Sequence, residues 1–218
     1  MAQVRLTELE AVNEILAMLG RRPVNSLAPA DLNADAAFAL RALRFTSRSL
    51  QALGWHFNRE CSVKYTPDLN QECELADDIV SVDNAKHYGS QGGYSDLIMK
   101  ADPNDAGQMK LYDKLGPLRN LDGFKFTSPV WVDQIRLFDY ESTPEAFRQY
   151  VAIRAGRATQ ARLITDPSLY RFSLDDEAAA LRLLMREETA NSDANFLHES
   201  NALRAVLRLS PLDSLESF

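Results

Sequence analysis

Apolar residues recur at helical spacing near the start of the chain. Thr7-x-x-Glu10 forms a capping box, in which the hydroxyl accepts from the backbone three residues on and the carboxylate reaches back. A helix is predicted over residues 8 to 19: Leu9, Val12, Ile15, Leu16 and Leu19 share a stripe, Glu8, Glu14 and Met18 fall largely off it, and Gly20 with Pro23 ends it. After the turn-rich stretch PVNSLAPADLN, Asn33 is placed to cap a second helix over residues 34 to 53. Ala36, Leu40, Leu43, Ser47 and Leu50 keep heptad spacing there, with Ala39, Ala42 and Leu53 beside them. Small residues in that stripe admit a close neighbouring helix.

The pattern changes from about residue 55. CSVKYT, DIVSVDN, SDLIMKA, MKLYDKL and WVDQIRLFDY read as short strands, separated by turn signals such as Thr66-Pro67-Asp68, Asp102-Pro103-Asn104-Asp105 and Asp122-Gly123. WVDQIRLF places apolar side chains on both parities, so it is expected to be covered on both sides or to pack on a partner. Gly54, Trp55 and Phe57 mark the corner between the two patterns. Gly54 is expected in a left-handed conformation ending the second helix. Trp55 and Phe57, two apart on an extended chain, would enter a core shared by the helices and the strands, with His56 pointing away.

Helical spacing returns at Thr143-Pro144-Glu145, where a hydroxyl cap, a ring-fixed first residue and an acid predict a helix to about Leu163. Its apolar and small face holds Phe147, Tyr150, Val151, Ala155, Ala158 and Ala161, with Arg148, Arg154, Arg157 and Arg162 around it. Asp166-Pro167 interrupts. Ser173-Leu174-Asp175-Asp176-Glu177 is then expected to open a fourth helix through about Thr189, its acids in the first turn. The order helices, strands, helices predicts an α+β fold, a bundle made by both ends of the chain with an inserted β-rich domain. The segments are 1–54 (first bundle helices), 55–140 (β-rich), 141–190 (remaining bundle helices) and 191–218, a tail that frays or docks on another chain.

Composition narrows the function classes. Of 218 residues, 45% are hydrophobic and 25% charged, ordinary for a soluble globular protein. The formal charge of -7 gives no sign of a domain that grips phosphates. Arg41, Arg44 and Arg48 nevertheless form a basic ridge at i, i+3 and i+7, either a solvated or intersubunit salt-bridging face or a nucleic-acid track. No apolar run is long enough to span a membrane, and MAQVRLTELEAVNEI carries acids where a signal peptide is apolar, so synthesis and retention in a cytoplasm are expected and no membrane insertion.

Candidate chemistry is sparse. G-x-S-x-G, H-E-x-x-H, a phosphate loop and G-x-G-x-x-G are all missing. The glycine-rich stretch 89–93 reads as a flexible loop or wide turn. Cys61 and Cys73 with His87 do not form a zinc spacing, and His56, His87 and His198 are isolated. Asp77-Asp78 and Asp175-Asp176 are sequential, so on a helix the members of each pair diverge by about 100° and cannot face one bond. No catalytic, cofactor-binding or metal-binding residue is assigned. A glycan hydrolase using convergent acids and a nucleic-acid binder using Arg41, Arg44 and Arg48 are the alternatives to a purely structural protein.

Three blocks carry a likeness. A-V-N-x-I-L with L-G-x-x-P-V (residues 11–24), L-x-x-x-G-W-x-F-N (50–58) and IRLFDYESTPEAFRQYVAIRAGR (135–157) resemble the tail tubular protein A family of short-tailed bacteriophages, the adaptor or gatekeeper of the tail. Arg21 stands where an acid is expected after the helix-ending glycine, and LRAVLRLSPLDSLESF does not align. The resemblance implies a virion tail protein without cofactor, made in the host bacterial cytoplasm. It implies a twelve-fold ring between the portal protein and the tail nozzle (tubular protein B), through which double-stranded DNA passes. On that footing, opposite charges are expected to meet across subunit boundaries, Arg41, Arg44, Arg48, Arg154 and Arg157 against Asp175, Asp176 and Glu177. Leu203, Val206, Leu207 and Leu209 are expected to dock on the portal or an adjacent subunit, and loops 88–94 and 102–107 to reach the nozzle. An acidic wall would let DNA slide.

Overall fold

The computed structural model describes residues 5–85, 96–105, 107–119, 121–163 and 167–191. Four helices and five strands follow in the order α1 (Glu8–Met18), α2 (Ala34–Gln51), β1 (Arg59–Tyr65), β2 (Ile79–Asn84), β3 (Leu97–Ala101), β4 (Met109–Asp113), β5 (Val130–Arg136), α3 (Glu145–Leu163) and α4 (Pro167–Asn191). The fold is mixed α+β, as the alternation of spacing predicts.

Both N-terminal caps form as expected. Thr7 and Glu10 close the capping box on α1, and the Asn33 side chain accepts from Ala36 N at 2.8 Å on α2. Helix α3 is the centre of the bundle, packed by α1, α2 and α4. Ala11, Val12, Ile15 and Leu16 of α1, Ala36, Ala39 and Leu43 of α2, and Phe147, Tyr150, Val151 and Ala155 of α3 are buried together, joined by Leu184 of α4. Met18, off the predicted stripe, packs over Gly156. A side chain there would meet the sulfur at 2.3 Å, so the bare backbone of α3 is what lets α1 approach.

The strands make two antiparallel units, a three-stranded sheet ordered β1-β5-β2 and a β3–β4 hairpin. β5 is central, pairing Val132 with Val63 on one side and with Asn84 on the other, and both its faces are covered. That is why WVDQIRLF lacks a purely polar parity. A second buried cluster, with Cys73, Leu75, Ile79, Val82, Leu111, Phe126, Val130 and Val132, lies under this sheet.

Several sequence expectations need correcting. Helix α2 stops at Gln51, and Leu53 beyond it is 69% exposed instead of joining the apolar stripe. Thr143 does not cap α3; its hydroxyl donates to the Tyr140 carbonyl at 2.7 Å, closing the short turn Tyr140–Ser142. Helix α4 begins at Pro167, a ring-fixed first residue, so Asp175, Asp176 and Glu177 lie in mid-helix, where the end-of-helix dipole does not act on them. Trp55 and Phe57 sit in a turn, not on an extended chain, and belong to the bundle's cluster alone. They still converge, because both rings meet Phe147 edge-on at 5.9 and 5.0 Å.

Candidate functional site

The residues that carry the family likeness turn out to be clamps on backbone groups. Asn13 holds Val24 at both ends, Nδ2 donating to the carbonyl at 3.0 Å and Oδ1 accepting from the amide at 2.8 Å. Pro23 and Val24 are thereby folded back on α1. At the corner, Gly54 takes φ +78° as expected, and a side chain there would strike Ile135 Cδ1 at 2.7 Å. The Trp55 indole donates to Leu50 O at 2.7 Å. Asn58, fully buried, accepts from Trp55 N and donates to Gln51 O and Arg136 O, each at 2.8 Å. Gln51 Nε2 donates to Phe138 O and its Oε1 accepts from Phe138 N. The end of α2, the corner and the end of β5 are one hydrogen-bonded unit, and unpaired buried polar groups are thereby avoided.

The third block works alike. Arg148, drawn from the sequence among the arginines around α3, is 3% exposed; it donates to the carbonyls of Thr143, Leu6 and Glu141. The Tyr140 hydroxyl donates to Arg148 O at 2.9 Å, and burial pushes its phenol well above the ordinary range. This explains D-Y-x-S-T-P as a junction holding the entry of α3 against the start of α1.

His56 is a further clamp that isolated-histidine reasoning missed. Its Nδ1 lies 2.5 Å from Glu188 Oε2, and its backbone amide donates to Glu188 Oε1 at 2.9 Å. The far end of α4 is tied to the corner, although 132 residues separate the partners. Pairing over such a distance leaves no periodic signal in one sequence.

The charged residues expected at subunit boundaries divide in two. Arg154 Nη1 meets Glu177 Oε1 at 3.1 Å, and Arg157 Nε meets the other oxygen, so these three charges meet inside one chain, between α3 and α4. Arg44 grips Glu8 of α1 in a bidentate pair at 2.8 and 3.0 Å, and this raises its pKa. Arg41, Arg48, Asp175 and Asp176 are exposed and make no ion pair among the described residues. Arg41 and Arg48 flank a surface groove of about 370 Å³ with Leu40 and Phe45. Phe45 is 70% exposed and Phe38 38%, aromatic surface that the helical periodicity places outside but does not explain.

The β-rich block hides a polar centre. Lys110 is almost wholly buried, with Nζ 2.6 Å from Glu72, 2.9 Å from Asp102 and 2.9 Å from Asp105. These hydrogen bonds raise its pKa and lower that of Glu72; Asp102 is lowered first by the backbone amide of Asn104 and then by Lys110. Asp102 of the loop expected to reach the nozzle is therefore turned inward. Cys73 is buried, its thiol pushed up to about 11, and Cys61 is exposed. Among the described residues no cluster of acids, histidines and cysteines has the arrangement of a metal site, and no helix is long and apolar enough to cross a membrane.

Leu203, Val206, Leu207, Leu209 and the loop 88–94 lie outside the described residues. No curated protein matches the chain at a significant level. The family model described as tail tubular protein matches residues 9–194, which take in the bundle helices, the clamps and the β-rich block between them. The chain therefore belongs to the tail tubular protein family, structural components of phage tails.

Proposed function

We propose that the chain is the tail adaptor of a short-tailed phage, a twelve-fold ring that joins the portal protein above to the tail nozzle below and lines the DNA exit channel. The observation that carries this reading is the family match running unbroken from α1 through α4. The build of the molecule supports it. Clamps at Gln51, Asn58 and His56 fix the β-rich segment, residues 55–140, to the bundle, residues 1–54 and 141–190, as a joint between two large partners requires, and Asn13 and Arg148 brace the bundle itself. Arg41 and Arg48 on α2 and Asp175 and Asp176 on α4 are left exposed on the bundle for neighbouring copies. Residues Leu203, Val206, Leu207 and Leu209 provide the apolar surface for the portal, and the acidic balance of -7 lets DNA pass without gripping it.

Mixing portal complexes with nozzle protein, with and without the chain, tests the proposal. The nozzle should sediment with the portal only when the chain is present, and electron microscopy should show twelve copies at the junction. A nozzle that joins the portal unaided, or a chain that binds neither, overturns it. Removal of residues 203–209 should abolish portal binding while nozzle binding survives.

A further inference from the structure

We infer that the ring boundary is formed by α2 of one copy lying alongside α4 of the next, in parallel, with Arg41 on Asp176, Phe45 on Leu183 and Arg48 on Glu187. This rests on the ring reading above and adds which faces meet. On α2, Phe38, Arg41, Phe45 and Arg48 fall at i, i+3, i+7 and i+10, so they share the outward side. On α4, Asp176, Leu183 and Glu187 fall at i, i+7 and i+11, within about 40° of one another, while Arg182 and Arg186 lie about 120° and 80° round from the middle of that stripe. One face reads basic, aromatic, basic along the chain direction. The other reads acidic, leucine, acidic.

Exposure and unmet hydrogen bonding point the same way. Phe45 is 70% and Leu183 48% exposed, and Asp176 is exposed without an ion pair among the described residues. One carboxylate oxygen of Glu187 is enclosed and has no hydrogen-bond donor among them. Glu187 is half-buried and makes no ion pair among the described residues, so a guanidinium on its accessible side adds a charge partner, and aromatic and arginine side chains are the types favoured at such contacts.

Direction is set by the fold. The carboxyl end of α2 leads into the corner at 54–58, and the carboxyl end of α4 meets that same corner through Glu188 and His56. The two helices thus run the same way, both packed on α3. Rotation about an axis along the bundle keeps that direction, so α2 of one copy meets α4 of the next in parallel, as two different faces in a closed ring must. Arg41 to Arg48 spans about 10 Å of helix and Asp176 to Glu187 about 16 Å. The difference is within the reach of two splayed arginine side chains.

Photo-cross-linking of the full-length chain in assembled tails tests the contact, with p-benzoylphenylalanine in place of the exposed Phe45. Irradiation should give a ladder of chain multimers whose cross-linked peptide lies within residues 174–191. A cross-link to portal or nozzle protein, or to another segment of this chain, overturns the inference. In the same background, R41D or D176R alone should cut the ladder about tenfold, and the two together should restore it to within about twofold. Both positions are exposed, and circular dichroism checks that each variant is folded. Single variants with an undiminished ladder, or a pair that fails to restore it, overturn the pairing. Tails that join portal to nozzle normally while Phe45 cross-links elsewhere would remove this contact and leave the adaptor reading standing.

Discussion

The two hydrophobic clusters of this protein are built on different principles. The bundle's is closed by the Trp55, Phe57 and Phe147 rings, and most of the polar groups buried beside it, among them Gln51, Asn58 and Arg148, are spent on backbone groups. The β-rich cluster is smaller, and beside it an almost buried lysine of β4 is held by three carboxylates, one from the loop before β2 and two from the β3–β4 turn. A helix satisfies its own backbone, so its packing face can be left to carbon. Strands joined by long loops must also fix the loops, and here Lys110 does so with charge.

Substitutions can sharpen that contrast. The largest effect is expected from Phe147→Ala, which removes the ring on which Trp55 and Phe57 rest; denaturant unfolding should show a loss of about 3–5 kcal/mol. Next is Lys110→Met, which strands the carboxylates of Glu72 and Asp102. Hydrogen exchange should rise in the β3–β4 hairpin while the bundle stays protected, and a loss spread evenly over both regions would refute the division. The pH dependence follows with its sign. Lys110 lowers the pKa of Glu72 below the ordinary 4.5, so the stabilisation is complete above that value and is lost as pH falls through the lowered folded value. Thermal melts of the unsubstituted protein should therefore weaken on acidification below about pH 4.5, and Lys110→Met should flatten that dependence.

A smaller effect, about 1–2 kcal/mol, is expected from Gly54→Ala, since φ +78° disfavours any side chain and Ile135 stands in its way. Smallest is Arg44→Ala. Its pair with Glu8 is 61% exposed on the arginine side, and double-mutant cycles should return roughly 0.2–1 kcal/mol, falling with salt.

Legibility followed the distance over which residues act. Thr7 with Glu10, Asn33 with Ala36, and the Leu and Ala stripes of α1 and α2 act within one or two turns, so periodicity and capping chemistry place them correctly. The acids at 175–177 misled because a short polar stretch reads as a helix start, whereas Pro167 had already begun α4. The likeness in three blocks located the clamps without explaining them. Their partners, Asn13 with Val24, Asn58 with Arg136 and Arg148 with Leu6, appear only in space.

By itself the sequence determined the α+β order of elements, the caps of α1 and α2 and the family, because each depends on neighbours along the chain. Only the tertiary structure decided which charges are paired inside one chain, as in Arg154 and Arg157 on Glu177, and which stay exposed without an ion pair among the described residues, as in Arg41, Arg48 and Asp176. An ion pair forms where folding brings two side chains within a few ångströms, and composition carries no record of that distance.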